Sequence, residues 1–256
     1  MYDDMYLQGV LDNKTQAYSN AYNIVYSEIA PIIIEWANGQ LEDIFQSGSS
    51  AKRTAIRGKS DVDVFISIKS SCTSTLKEIF DSLEAKMKAR GYNVRRQNVS
   101  IGTIVRGYNV DLVPSKKDSG TTNYHKLHVS KKGTWTQTNV KLQIDNVKNS
   151  RRTQFIQLAK IWRDCHRLEF PSMNIELAVI EALKGCSYQI SLSDGFLRVL
   201  TYFANEIQSA RLEDPGNSNN VISDDMKVTE KLTIAQYANK CIEKYIKEIC
   251  WDNVIC

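Results

Sequence analysis

Carboxylates placed on predicted strands are the feature that most constrains the fold of this chain. Asp61 and Asp63 flank Val62 at the start of an apolar run that extends to residue 68, and Asp111 lies between aliphatic neighbours in a second run, residues 108–113. Acidic residues are depleted in strands, because a strand inside a domain has little room for charge. Three carboxylates on two predicted strands therefore need a partner, and a divalent cation fits an all-oxygen set best.

The spacing of these carboxylates predicts their chemistry. Asp61 and Asp63 are two residues apart, so on one strand they project to the same face, where Asp111 of an adjacent strand could join them. Two Mg²⁺ or Mn²⁺ ions about 3.5–4 Å apart can hold the attacking and the leaving oxygen of an in-line phosphoryl displacement. The sequence therefore predicts two divalent ions bound by Asp61, Asp63 and Asp111.

A Gly-Ser turn precedes the carboxylates and predicts a phosphate site. Gly48 and Ser49 open a short segment before Asp61, and a glycine turn that leads into a helix presents free N–H groups to an anion. Positive side chains follow at Lys52, Arg53, Arg57 and Lys59. Neither a P-loop nor a Gly-x-Gly-x-x-Gly dinucleotide fingerprint occurs in the chain, which argues against those two nucleotide-binding classes.

The order Gly48-Ser49, Asp61-Val62-Asp63 and then Asp111 resembles the polymerase-β-like nucleotidyltransferases. Within them, roughly residues 40–225 are most similar to the bacterial cGAS/DncV-like enzymes and the oligoadenylate synthases. Two further segments resemble family elements that contact the nucleotide triphosphate, residues 155–163 and 170–177. The resemblance implies that Lys160 and Ser172 orient the triphosphate together with Gly48 and Ser49.

This resemblance implies an α+β fold with three parts. Residues 1–39 would form an N-terminal helix packed across both lobes, residues 40–132 the nucleotidyltransferase core, and residues 133–256 a helical lobe, with the active site in the cleft between the lobes. It also implies that Asp61 and Asp63 hold both metal ions, while Asp111 holds the ion nearer the attacking hydroxyl and helps to deprotonate it.

The activity implied is the joining of NTPs, with ATP among them, into a cyclic or short linear oligonucleotide second messenger. Pyrophosphate would be released, and the setting would be bacterial antiphage signalling. Two alternatives remain open: nucleotidyl transfer to tRNA or protein, and a degenerate nucleotidyltransferase that only binds nucleotide or a partner. The short helical lobe argues against the tRNA enzymes, and the complete carboxylate set argues against a degenerate binder.

Composition limits the partners. The net charge is +4, and the basic doublets are spread along the chain, so we expect no nucleic-acid activator but allow a protein partner or an effector encoded nearby. Because no apolar run reaches the length of a membrane span and no signal pattern opens the chain, we expect a cytoplasmic protein without a membrane partner. The six cysteines lack Cys-x-x-Cys spacing and are expected to be free thiols.

Hydrophobic periodicity predicts the remaining elements. A helix over residues 18–36 should end at Asn38-Gly39, and a strand at 62–68 should be followed by a helix at 74–90. Three short strands are expected at 93–97, 100–105 and 108–113, then a polar loop at 114–122. Five helices are expected thereafter, at 139–149, 153–166, 173–185, 194–210 and 229–251.

Overall fold

A computed structural model describes residues 2–15, 20–120 and 122–255 of the chain. They form two compact units, both discontinuous in sequence. The sheet unit comprises Ala17–Lys52 and Lys59–Ile144. The helical unit comprises Met1–Gln16, Arg53–Gly58 and Asp145–Cys256. None of the described helices is both long and apolar enough to cross a membrane.

The sheet unit contains a mixed sheet and helices packed on it. Its elements, in chain order, are α2 Ala21–Ala37, β1 Leu41–Gln46, α3 Gly48–Ala51, β2 Val62–Ile68, α4 Leu76–Ala89, β3 Arg95–Arg96, β4 Ile101–Val105, β5 Tyr108–Lys117, β6 His125–Val129 and β7 Thr134–Thr138. The sheet has the strand order β1-β2-β5-β4-β3, with β6 paired to the end of β5 and β7 to β6. Strands β2 and β5 are parallel, and the other pairs are antiparallel.

Side-chain alternation in β2 and β5 separates an apolar face from a functional one. Val62, Val64, Ile66 and Ile68 point to one face and pack with the apolar sides of α2 and α4. Phe65 points to the opposite face, where it packs against Leu127 and Val140. Asp63 alternates with Val62 and Val64, so it shares the face of Phe65 and is kept off the main core.

Local sequence signals explain the ends of the two helices under the sheet. Helix α2 ends at Asn38, whose φ of 43° is left-handed, followed by Gly39. Helix α4 begins with a capping box, in which the Thr75 hydroxyl accepts from the Glu78 N–H while the Glu78 carboxylate accepts from the Thr75 N–H. The end of α2 agrees with the sequence prediction, and α4 begins two residues later than predicted.

The helical unit is built from helices around one apolar core. Its elements are α1 Tyr2–Lys14, α5 Val140–Ser150 (from residue 145 onward), α6 Thr153–Cys165, α7 Ser172–Ala182, α8 Leu192–Asn205, β8 Glu213–Asp214, β9 Asn217–Val221, a 3₁₀ turn Ile222–Asp225 and α9 Val228–Glu248. Trp162, Phe196, Phe203 and Trp251 are fully buried in its core. Ile56 joins the same core from the short segment 53–58.

The structure confirms the α+β class and departs from the sequence prediction in several elements. Residues 1–39 contain two helices, α1 and α2, which belong to different units, and the units are interleaved rather than divided at residues 39 and 132. The loop expected at 114–122 is strand up to Lys117, because β5 still pairs with β2 and β6 there. Strands β6, β7, β8 and β9 were not predicted. Cys165 is disulfide-bonded, against the expectation of free thiols, whereas Cys72, Cys186, Cys241 and Cys250 are free.

Candidate active site

The Gly-Ser turn is joined directly to the second carboxylate of the Asp-x-Asp pair. Helix α3 begins at Gly48, whose φ of +63° lies in the left-handed region. A Cβ built on Gly48 would lie 1.8 Å from Oδ2 of Asp63, so a side chain there has no room. The Ser47 N–H also donates to the Asp63 carbonyl at 3.0 Å. The turn and Asp63 are therefore tightly packed against each other, and Ser49 is the next residue of the turn.

Asp63 and Asp111 are neighbours across the parallel pair β2–β5. Their Cα atoms are register partners, so both side chains leave the same face of the sheet side by side. Asp61 lies just before β2, and all three carboxylates are half-buried. The register thus brings the predicted Asp63 and Asp111 together, with Asp61 at the adjoining strand end.

Burial and the neighbouring charge of Asp61 both act on the Asp111 carboxylate. Burial raises the pKa of Asp111 above its ordinary value, and the negative charge of Asp61 raises it further. Hydrogen bonds from Gln97 and Ser100 and the positive charge of Arg95 oppose this rise in pKa without cancelling it. Asp111 therefore holds its proton more readily than an exposed aspartate, which suits a group that must accept one.

Asp111 has its own set of contacts, which the sequence analysis missed. Nε2 of Gln97 donates to Oδ1 of Asp111 at 2.9 Å, and the Ser100 hydroxyl lies 2.8 Å from Oε1 of Gln97. Gly102 is the register partner of Asp111 in the antiparallel pair β4–β5. A glycine inside a predicted strand marks a close approach, so Gly102 opposite a strand aspartate was the available signal.

The carboxylates have the right chemistry for a divalent cation, but they do not enclose a complete set of ligands. Among the described residues, no group of three or more His, Cys, Asp and Glu side chains could hold a metal ion as it stands. Asp63 and Asp111 are nevertheless adjacent hard-oxygen donors, and a cation would relieve both the burial and the charge of Asp61 that raise the pKa of Asp111. Mg²⁺ commonly takes one or two carboxylates plus water and phosphate oxygens, which matches this open arrangement.

Lys160, one of the two predicted phosphate ligands of the helical unit, is buried. Only 2% of Lys160 is exposed, and its ammonium donates to Oε1 of Glu176 at 2.7 Å and to the Thr54 hydroxyl at 2.9 Å. Glu176 and Thr54 are buried as well, so three polar groups satisfy one another inside the helical unit. No local pattern around Lys160 indicates this ion pair, and contact of Lys160 with phosphate stays a prediction.

Ser172, the other predicted phosphate ligand, is exposed at the first residue of α7. Its hydroxyl accepts from Nη1 of Arg163 at 3.1 Å. Arg163 also donates to the Phe170 carbonyl at 3.2 Å, so the guanidinium holds the start of α7 in place. A serine beside an arginine suits an anion, and this role of Ser172 also stays a prediction.

Comparison with known proteins places the carboxylates inside a recognised domain. The family described as Second Messenger Oligonucleotide or Dinucleotide Synthetase domain (SMODS) matches residues 12–150, which include Gly48, Ser49 and the three aspartates. Lys160 and Ser172 lie outside the matched residues. A curated relative, the cyclic AMP-AMP-AMP synthase of Escherichia coli (strain MS 115-1), is 28% identical over 158 residues, 56% of this chain and 49% of the relative. The chain thus spans about half the length of that relative.

Solved structures show the same fold. The complex of Escherichia coli MS115-1 CdnC with HORMA-deltaN aligns with a TM-score of 0.77 at 21% identity, covering 96% of this chain and 92% of that chain. Bradyrhizobium diazoefficiens CdnG in complex with GTP aligns with a TM-score of 0.78 at 14% identity, with the same two shares. Because the family match covers more than half of the residues and contains the carboxylates, the chain belongs to the SMODS family of second messenger oligonucleotide or dinucleotide synthetase domains.

Proposed function

We propose that this chain is a metal-dependent nucleotidyltransferase that joins NTPs into a cyclic or short linear oligonucleotide and releases pyrophosphate. The observation that supports it best is the register of Asp63 with Asp111 beside the Gly48 turn, within the residues that match the SMODS family. The name of the curated relative, cyclic AMP-AMP-AMP synthase, supports ATP as one substrate, and the GTP in the CdnG complex keeps GTP open as another.

The proposed roles follow from the geometry of the sheet unit. Asp63 and Asp111, with Asp61, would hold Mg²⁺ or Mn²⁺, as two ions when an NTP is bound. When bound, these ions would supply positive charge to the phosphate oxygens and to the attacking hydroxyl. Asp111 would accept the proton of that hydroxyl, a role that its raised pKa favours. Gly48 and Ser49 would direct the N–H groups of the turn toward the triphosphate, and Lys160 and Ser172 remain the proposed ligands from the helical unit.

A protein partner is part of this proposal, as is a signalling role. The solved structure of CdnC contains a HORMA protein, which supports a partner of that kind for this chain as well. The proposed setting is antiphage signalling, in which the oligonucleotide product would activate an effector encoded nearby.

The experiment is a product analysis of the purified, nuclease-treated chain. It is incubated with each of the four NTPs, singly and together, with Mg²⁺ or Mn²⁺, and the products are identified by mass spectrometry. We expect pyrophosphate and a product made only of nucleotides, and we expect neither from Asp63→Asn. Asp81→Asn is the matched control, since Asp81 lies on α4 and is bonded to Lys77 and Arg96.

Two outcomes would contradict the proposal. Labelled nucleotide that appears only on added tRNA or protein would favour the alternative transferase. Full turnover in excess EDTA, or in Asp63→Asn, would rule out the carboxylate mechanism.

A further inference from the structure

Four residues from four adjacent strands form a row across the sheet. Asp63 of β2 is the register partner of Asp111 in β5, Asp111 is the partner of Gly102 in β4, and Gly102 is the partner of Arg95 in β3. Two carboxylates are therefore followed, on the same line, by a position without a side chain. The space above Gly102 is where a neighbouring side chain can reach Asp111.

Gln97 occupies that space. A Cβ built on Gly102 would lie 2.6 Å from Nε2 of Gln97 and 3.3 Å from Oδ1 of Asp111, so the amide crosses directly over the glycine. Nε2 of Gln97 donates to Oδ1 of Asp111 at 2.9 Å. The bond thus depends on the missing side chain at Gly102 as much as on Gln97.

The orientation of the Gln97 amide is fixed at both ends. The Ser100 hydroxyl donates to Oε1 of the Gln97 side chain at 2.8 Å. The backbone N–H of Gln97 also donates to the Ser100 carbonyl at 2.9 Å, which keeps the two residues together. The reversed amide would direct its oxygen at the Asp111 carboxylate, which can only accept hydrogen bonds when ionised. Ser100 therefore holds Gln97 with its NH₂ group toward Asp111.

This arrangement treats the two oxygens of Asp111 differently. Oδ1 accepts a well-formed hydrogen bond, whereas Oδ2 lies 3.5 Å from the Ser100 hydroxyl, at the limit of a hydrogen bond. The proton of Ser100 is engaged by Gln97 at the shorter distance. Oδ2 is consequently the oxygen that can turn to another ligand without breaking a short hydrogen bond.

We propose that Gln97 is a positioning residue for Asp111. It holds Oδ1, so that Oδ2 meets the divalent cation in a fixed direction, and Gly102 and Ser100 make this possible. This inference rests on the proposed function of the site. Carboxylates that ligate metals are generally hydrogen-bonded by such outer groups, whose loss typically costs roughly 10–100-fold in metal affinity or activity.

The test compares two ways of breaking the bond. Gln97→Met removes the donor while keeping the length of the side chain, and Gly102→Ala displaces the amide from above the strand. The matched control is Gln137→Met, because Nε2 of Gln137 donates to Oδ2 of Asp118 at 2.9 Å and both glutamines are half-buried. This control removes an equivalent amide–carboxylate hydrogen bond that does not involve Asp63 or Asp111.

The primary readout is the binding of Mn²⁺ to the full chain in the presence of a non-hydrolysable ATP analogue. Electron paramagnetic resonance measures the free ion. Thermal unfolding is recorded in parallel. We expect Gln97→Met and Gly102→Ala to bind Mn²⁺ about 10–100-fold more weakly than the unchanged protein. Gln137→Met should bind it equally well, and a Ser100→Ala variant should show a smaller loss.

The outcomes separate this inference from the proposed function. Unchanged Mn²⁺ affinity in Gln97→Met, with an unchanged protein that binds Mn²⁺ and makes product, would overturn the role of Gln97 and leave the function intact. Equal losses in Gln97→Met and Gln137→Met would also overturn it, since the effect would then be structural. An unchanged protein that neither binds Mn²⁺ nor makes product would overturn both.

Discussion

Gly48 is constrained twice, by its backbone and by the carboxylate against it. Its φ of +63° costs an L-residue about 1–2 kcal/mol, and a Cβ would lie 1.8 Å from Oδ2 of Asp63. We predict that Gly48→Ala loses stability and also displaces Asp63, so that oligonucleotide synthesis falls to background. Urea unfolding and product yield measure the two effects.

Gly133 offers the matched control for that substitution. Its φ is +62°, and nothing lies within 4 Å of a Cβ built on it. Gly133→Ala should therefore show the backbone cost alone and retain activity. Equal activity in the Gly48→Ala and Gly133→Ala variants would refute the close packing of Gly48 against Asp63.

Asp111 predicts an unusual pH dependence of stability in the metal-free protein. Because its pKa is raised on folding, by burial and then by Asp61, the folded state binds its proton more tightly than the unfolded state does. Stability is therefore lost as pH rises from the unfolded pKa through the raised one, and the penalty is complete at neutral pH. We predict that Asp111→Asn raises the Tm at pH 7.5 in EDTA, and that this gain shrinks as the pH falls.

Asp81 is the control of opposite sign. Hydrogen bonds from Lys77 and Arg96 lower the pKa of Asp81, so its contribution to stability is present at neutral pH and is lost on acidification. Asp81→Asn should leave the Tm unchanged or lower it at pH 7.5. A lower Tm for Asp111→Asn under the same conditions would contradict the cost of holding the ionised Asp111 carboxylate half-buried beside Asp61.

At the level of single residues, the charged groups of the site could be predicted from the sequence, but the polar residues that contact them could not. Asp61, Asp63 and Asp111 were recognisable because carboxylates are rare on strands. Gln97 and Ser100 could not be recognised, because they lie at the ends of two predicted strands and nothing in the local sequence shows that β4 brings them beside Asp111. The same limit explains Lys160, whose partner Glu176 comes from the next helix.

A buried ion pair joins α6 and α7 of the helical unit. Lys160 and Glu176 are each 3% or less exposed, and removing one partner leaves the other charge buried. Breaking such a pair typically costs about 3–5 kcal/mol, whereas replacing both partners by apolar residues is often neutral or stabilising. We predict a loss of that size for Lys160→Ala and recovery in Lys160→Met/Glu176→Leu, measured by urea unfolding.

The double variant also tests the predicted phosphate contact of Lys160. Once stability is restored, NTP affinity reports on the ammonium without the effect of unfolding. A further loss of NTP affinity would support direct contact with phosphate. Unchanged affinity would assign Lys160 to the packing of α6 against α7, and an equally stable Lys160→Ala would contradict the buried ion pair itself.

Elements with a strong local pattern were predicted, and those that depend on distant partners were not. Strand β2 and helices α4 and α6 agree with prediction within two residues, because apolar periodicity and end signals define them. Helix α1 has few buried apolar side chains, among them Leu7, Val10 and Leu11, and its stability comes from packing in the helical unit. Strands β6 and β7 exist through pairing with the end of β5, which no local pattern specifies.

On the scale of the whole molecule, positive charge is balanced rather than concentrated. The net charge is +4, and several basic side chains of the sheet unit are paired with carboxylates, as in Lys86 with Glu35 and Lys126 with Asp118. Tight binding of a duplex needs many unpaired Lys and Arg contacts with phosphates and weakens steeply with salt. We predict that synthesis needs no nucleic-acid activator.

Titration of nuclease-treated protein with duplex DNA and duplex RNA at physiological salt tests this prediction. The rate of product formation should be constant across the titration. A large increase that follows the concentration of either duplex would show that the enzyme is activated by nucleic acid after all.

The interleaving of the two units has a consequence for synthesis on the ribosome, where domains generally fold as they emerge. The sheet unit ends at Ile144, so most of it can form early. Segment 53–58 lies between the Gly-Ser turn and Asp61 in the chain, yet its Thr54 is bonded to Lys160 and Glu176, which are translated much later. In the nascent chain, the strands that carry the carboxylates should therefore form many seconds before segment 53–58, which follows the Gly48 turn, finds its partners in the helical unit. The chain would therefore become catalytically competent only after Lys160 and Glu176 have been translated and have bound Thr54.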